Sequence, residues 1–247
     1  MAAAEGEYLL FLDSDDHLHP DALQTLVDRA DELRTDILYY DADAFFDDDE
    51  VRETHSSYEE YYLRSAAYEG VWTGAELVSR MLENEDYRPS ACLQLIRAGF
   101  YRDAGLGFRE GLLHEDNLFS FEGAIRAVRA AYLPAALYGR RVRRDSIVTQ
   151  PRGVETLKGF FVTYLEILRH AVRTRPTGAE KAVCRAVGAE MYRQCINVFC
   201  SLDEDGREVA GSLDDSVEAQ IAYEALLKHY GQVERARRLS ARLEKAN

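Results

Sequence analysis

Three groups of residues in this chain have the types and spacing to do chemistry. The first is Asp13-Ser14-Asp15-Asp16, which directly follows the apolar run Tyr8 to Leu12. Asp13 and Asp15, one residue apart in a tight turn, can both face one hard cation through oxygen ligands. A divalent ion held by one or two carboxylates commonly completes its shell with phosphate oxygens. A polar, solvated loop that caps the helix starting near Pro20 is the alternative, and the spacing leaves both readings open. The second group is Glu115 and Asp116, beside His114 in the stretch Leu112 to Phe121. There a loop turns into a helix, so the acids stand at a positive helix end. One carboxylate suffices for an N-cap, and the doubling points beyond capping. The third group is Arg140, Arg141, Arg143 and Arg144, followed by Asp145 and Ser146. Such guanidiniums could clamp a diphosphate bidentately or form a solvated basic edge.

These groups need elements to position them. Tyr8 to Leu12 reads as a strand buried on both faces, which puts the first acids at a strand's C-terminal edge, where open α/β sheets bind ligands. Such a strand wants a neighbour on each side, so the sheet is expected to be incomplete or finished by another chain. Leu23, Leu26, Val27, Ala30 and Leu33 recur at helical spacing, with Pro20 and Asp21 suited to the first turn. Asp36 to Tyr40 reads as the next strand, and this order predicts a parallel crossover. The acidic stretch Asp41 to Glu50 reads as a solvated segment, and the tyrosines at 58, 61, 62 and 68 as core packing. Thr73 with Glu76 has the form of a capping box before the apolar stripe Leu77, Val78, Met81 and Leu82. Val128 to Pro134 and Ala136 to Val142 read as two strands in succession. Beyond Pro151 the pattern is helical, over Val154 to Val172, Ala179 to Leu202 and Val217 to Leu243, with a polar turn from Asp203 to Asp215. Residues 1–150 therefore read as an α/β domain and 151–247 as an α-helical C-terminal extension.

Composition narrows the partners. Of the 44 acids, 16 lie in the first 50 residues against only two arginines, so the net charge of −14 comes from that segment. Nucleic acid needs a basic footprint and is excluded as a partner there. The four cysteines, at 92, 184, 195 and 200, form no CxxC pair and read as reduced, buried thiols of a cytoplasmic protein without structural zinc. No apolar run approaches the roughly 18 residues of a spanning helix. Arg173, Arg175, Arg235, Arg237, Arg238 and Arg242 leave open contact with anionic lipid at the inner face of a membrane, or plain charged helix faces.

Taken together, GEYLLFLDSDD at Gly6 to Asp16, HEDNLF at His114 to Phe119 and RVRRDSI at Arg141 to Ile147 resemble the family 2 glycosyltransferases. These are inverting, nucleotide-sugar-dependent enzymes with the GT-A fold. The resemblance covers residues 1 to about 150, and the helical part is similar to the variable C-terminal extensions of such enzymes. It implies a partial GT-A (Rossmann-like) mixed sheet with flanking helices. It also implies that Asp13 approaches the donor ribose, that Asp15 holds Mg²⁺ or Mn²⁺ against the diphosphate, and that Asp16 shapes the turn. Asp116 matches the catalytic base, supported by Glu115; Arg143 and Ser146 match a basic position near the diphosphate. The acceptor is a glycan or other hydroxyl, in the setting of polysaccharide biosynthesis.

The sequence opens at the acidic strand, without the strand-helix-strand unit with which such enzymes normally begin. A split enzyme completed by a partner chain, a homo-oligomer, and a catalytically inactive remnant acting as a binding module are the alternatives this opens. A haloacid dehalogenase-like phosphatase, which also ends a buried strand in Asp-x-Asp, fits less well. His17 and Leu18 stand where that fold wants Thr or Val, and Lys158 and Lys181 are the only lysines before residue 200.

Overall fold

The computed structural model of the protein describes residues 4–144 and 152–244, with side chains to Ala236. The chain divides into two compact units. The first comprises Met1–Phe108, Asp116–Gln150 and Pro176–Val183; the second Arg109–Glu115, Pro151–Arg175 and Cys184–Asn247.

The first unit is built on a mixed sheet of five strands: β1 (Tyr8–Leu9), β2 (His17–Leu18), β3 (Ile37–Phe46), β4 (Gln94–Arg97) and β5 (Ala130–Val142). Their spatial order is β1-β4-β3-β5-β2. β3 and β5 run parallel, while β4 is antiparallel to both β3 and β1, and β2 is antiparallel to β5. β3 is the centre, and Ile37 through Ala42 are buried whichever face they point to. On one face, Leu38, Tyr40, Ala42 and Tyr138 pack with Leu26 and Ala30 of α1 (Ala22–Leu33) and with Cys92 and Leu93. The other face carries α3 (Gly74–Glu83) and α5 (Asp116–Arg126), whose apolar stripes bury Leu77, Val78 and Met81, and Leu118, Phe119 and Phe121. The chain also forms α2 (Asp49–Thr54), before α3, and α4 (Ala98–Asp103), before α5.

Local sequence explains most of these elements. The Thr73 hydroxyl accepts from the Glu76 N–H at 3.3 Å while the Glu76 carboxylate accepts from the Thr73 N–H at 3.0 Å, a complete capping box opening α3. Gly74 follows because a Cβ there would lie 2.3 Å from the Ala124 carbonyl oxygen, so the helix start rests directly on the end of α5.

Several expectations are corrected. The strand expected at Tyr8 to Leu12 is only Tyr8–Leu9, half-buried at an edge, paired to β4 alone. Leu10 and Phe11 leave the ladder and lie against the core, because the chain must pass from one sheet edge to the other before β2. β1 and β3 are parallel in sense, yet β4 stands between them, so the crossover does not join neighbours. Asp41 to Phe46 is no solvated segment: β3 continues through it, and Asp41 is buried with the Arg64 guanidinium 2.7 Å away. Its acids, Asp41 and Asp43, alternate with Ala42, Ala44 and Phe46 at strand period. The two strands expected at 128–142 are one, since Pro134 sits where the ladder with β3 shifts register rather than where the strand ends.

The second unit is helical. It contains α6 (Val154–Thr174), most of α7 (Gly178–Ser201), α8 (Glu204–Ala210) and α9 (Val217–Glu244). α6 buries Phe160, Phe161 and Leu165, α7 contributes Met191, Cys195 and Phe199, and the Phe199 ring meets Tyr223 and Tyr230 edge-on. The polar turn expected at 203–215 contains a helix, α8. Asp203 caps it, its carboxylate accepting from the Gly206 N–H at 2.8 Å. Among the described residues no helix is long and apolar enough to cross a membrane, and none of the four cysteines is in a disulfide, Cys200 being half-buried and the others buried.

Candidate functional site

The acidic turn is anchored by residues far along the chain. Asp13 to Asp16 close a turn, the Asp16 N–H donating to the Asp13 carbonyl at 3.2 Å. Tyr138 of β5, itself fully buried, reaches this turn with its hydroxyl. That oxygen accepts from the Asp13 N–H at 3.1 Å and donates to Asp16 Oδ2 at 2.7 Å. Asp16 Oδ1 accepts from the Arg141 N–H at 2.7 Å. With a side chain only 2% exposed, Asp16 is the internal post of the turn, while the Asp13 and Asp15 side chains are 50% and 31% exposed and face outward.

The arginines expected to form a clamp each meet carboxylates. Arg140 Nη1 lies 2.9 Å from Asp13 and 3.5 Å from Asp16, and its guanidinium sits over the Tyr62 ring at 5.7 Å. Arg143 Nε donates to Asp15 at 2.8 Å. Arg141 pairs with Asp47 at 2.6 Å, and Arg144 with Glu50 at 2.6 Å and Asp48 at 3.3 Å. Residues 140–144 thus tie the turn to the acidic end of β3. Ser146 lies outside the described residues.

These contacts set the electrostatics. The hydrogen bond from Arg143 holds the Asp15 carboxyl below the usual carboxylate range, against a smaller opposing effect of burial. Burial works to lower the basicity of Arg140, but the neighbouring Tyr62, Asp16 and Asp13 outweigh it and raise it. Burial drives the Tyr138 phenol far above its ordinary value, with the neighbouring Cys92 and the Asp16 carboxylate adding to it. Under the turn, burial pushes the Cys92 thiol up to about 12, with the charges of Asp13 and Asp116 adding to it. Cys92 is therefore an inert, protonated neighbour of both acidic groups.

Asp116 is the first residue of α5 and is half-buried. The first unit thus brings Asp116 and the acidic turn to the surroundings of one thiol, although about 100 residues separate them. Glu115, also half-buried, belongs to the second unit, where His114 adopts a left-handed backbone (φ 60°) and stacks its ring on Phe160 at 4.7 Å. Burial, with Arg152 adding to it, lowers the His114 pKa, so the imidazole is neutral near pH 7.

Two features of the site carry no sequence signal. Tyr138 reads as an ordinary strand residue until the sheet sets it beneath the turn. His19 Nε2 lies 2.6 Å from Asp43 Oδ1 beside the turn, and the His17 ring covers Gly139, where a Cβ would come within 2.2 Å of it. Nothing in either spacing foretells those pairings.

As to metal, no group of three or more His, Cys, Asp or Glu side chains that could hold an ion exists among the described residues. Asp13 and Asp15 offer two outward carboxylates on one turn. That donor set fits a hard divalent cation whose remaining ligands are phosphate oxygens and water.

A mixed α/β sheet with an acidic turn leaving its edge strand is a GT-A-like architecture. In agreement, the chain resembles the crystal structure of S. aureus TarS 1-349 with a TM-score of 0.51 at 20% identity, over 93% of this chain and 56% of that one. Residues 1–95 match the model described as Glycosyl transferase family 2. The chain is 27% identical over 178 residues to "Uncharacterized glycosyltransferase YibD" of Escherichia coli (strain K12), covering 72% of this chain and 50% of that protein. It is 25% identical over 146 residues to "Glycosyltransferase GlyA" of Streptococcus pneumoniae serotype 4 (strain ATCC BAA-334 / TIGR4), covering 58% of this chain and 20% of that protein. The likeness to family 2 glycosyltransferases thus lies in the first 95 residues and in these two relatives, and the chain spans half or less of the length of each.

Proposed function

We propose that this chain carries a sugar-transfer site, in which a nucleoside diphosphate sugar is the donor and a hydroxyl of a glycan or similar molecule is the acceptor. The observation that carries the reading is the convergence of the acidic turn, Arg140 and Asp116 on the surroundings of Cys92 and Tyr138 at one end of the sheet. The match of residues 1–95 to the Glycosyl transferase family 2 model supports the same class of reaction.

In this reading Asp116 accepts the proton of the acceptor hydroxyl as that oxygen forms its bond to the anomeric carbon. The bond from that carbon to the diphosphate oxygen breaks on the opposite side, its electron pair leaving with the nucleoside diphosphate, so configuration inverts. One base on the acceptor side suffices for this single displacement. Asp15, with Asp13, would hold Mg²⁺ or Mn²⁺, which supplies charge compensation to the leaving diphosphate. Asp13 faces the donor ribose, Asp16 keeps the turn in shape, Arg143 meets the diphosphate, and Glu115 supports Asp116. The reaction is assigned to the cytoplasm, where nucleotide sugars are available as donors.

Calorimetric titration with UDP and with GDP, each with and without Mn²⁺, tests this. Metal-dependent binding that is lost in Asp15→Ala is expected, followed by donor-dependent turnover that is lost in Asp116→Asn. Absence of binding by either nucleotide would refute the donor site in this chain and favour the binding-module alternative.

A further inference from the structure

The carboxylates that would face the metal are engaged by arginine in this structure, and the two arginines are held differently. Arg140 lies within β5, is 24% exposed, touches two carboxylates and covers the Tyr62 ring. Arg143 lies just past the end of β5, is 40% exposed, and donates from Nε to Asp15 at 2.8 Å. Arg140 is therefore built into the sheet, whereas Arg143 can swing away by side-chain rotation without disturbing a ladder bond.

We propose that Arg143 is an internal counter-ion that a divalent cation displaces from Asp15, so that metal and diphosphate bind as a coupled pair. This rests on the sugar-transfer reading above. A cation arriving alone must break the Asp15–Arg143 pair and then sits beside a guanidinium with no partner. A diphosphate arriving alone gains Arg143 but leaves Asp15 unpaired next to its own negative charge. Only when both arrive does every charge find an opposite one, with Asp15 on the cation and Arg143 on the phosphate. The coupling is reciprocal by linkage: whatever factor the diphosphate adds to metal affinity, the metal adds to diphosphate affinity. Arg140 stays on Asp13 and Asp16 throughout and keeps the turn closed.

The test measures Mn²⁺ binding alone, from the free-ion electron paramagnetic resonance signal, for the full chain, Arg143→Gln and Arg141→Gln. Arg141 pairs with Asp47 and controls for loss of one positive charge nearby. Removing an exposed competing ion pair together with its repulsion of the cation should tighten Mn²⁺ binding by about three- to tenfold in Arg143→Gln and leave Arg141→Gln near the parent value. UDP binding at saturating Mn²⁺ should weaken in Arg143→Gln, so the two affinities move in opposite directions. A residue that merely supports the fold would weaken both. UDP binding with an unshifted or weakened Mn²⁺ affinity in Arg143→Gln would overturn the exchange alone. No UDP binding by the parent chain at saturating Mn²⁺ would overturn the exchange and the donor reading together.

Discussion

Replacing Tyr138 by Phe removes one oxygen and keeps the ring that fills the core. The lost contacts are the 2.7 Å bond to Asp16 and the 3.1 Å bond from the Asp13 N–H. A hydrogen bond to a charged, buried group is worth about 1.5–3 kcal/mol, and a neutral one at a wet site lies near the low end of about 0.5–1.5 kcal/mol. Asp16 keeps its bond from the Arg141 N–H and the 3.5 Å approach of Arg140, which places the loss at about 2 kcal/mol. For a chain of this size that corresponds to a fall in Tm of roughly 4–8 °C. The assay is urea unfolding, with a lowered midpoint at constant slope, paired with UDP titration at saturating Mn²⁺, where a loosened turn should weaken binding by about tenfold. Tyr40→Phe is the control: it deletes a buried 2.6 Å bond to the Cys92 carbonyl without touching the turn. It should lower stability and leave nucleotide affinity unchanged. An unshifted midpoint in Tyr138→Phe, or equal binding losses in the two variants, would refute the role of Tyr138 as the support of the turn.

Other perturbations have equally definite outcomes. Asp41→Ala leaves the buried Arg64 without its carboxylate and should cost about 3–5 kcal/mol in urea midpoint experiments, part of which adding Arg64→Met should recover. Gly74→Ala improves helix propensity by about 1 kcal/mol but drives a methyl into the Ala124 carbonyl, so net destabilisation is expected by thermal melting. Burial opposes the charge on Asp86, yet bonds from the Ser65 and Ala66 N–H groups and the Ser65 and Tyr68 hydroxyls outweigh it and depress its pKa. A depressed carboxyl adds stability above its unfolded pKa of about 3.9 and loses it as pH falls through the lower folded value. The stability gap between parent and Asp86→Asn should therefore be full near neutral pH and shrink below about pH 4 in denaturant titrations.

Local chemistry alone determined a good share of this protein. The helix of residues 22–33, the capping box at Thr73 and the three long helices after Pro151 are all written within a few residues of one another. Each depends on short-range geometry: helical periodicity, or a side chain reaching its own helix end. The motif order also carried the family resemblance that the comparisons bear out.

Tertiary structure decided what local chemistry could not. Tyr8 to Leu12 has the apolar content of a central strand but lies at an edge, because sheet order depends on partners that no residue in the run encodes. The acids at 41 and 43 look solvated in isolation, yet two-residue alternation carries β3 through them once β5 and Arg64 arrive from elsewhere. The same holds for the site. Arg140 and Tyr138 reach Asp13 and Asp16 across more than 120 positions of chain, a pairing fixed by the register of β5 against β3 and β2. Hydrogen-bond partners at that separation follow from which strands lie side by side, and that is a property of the packed sheet rather than of any stretch of residues.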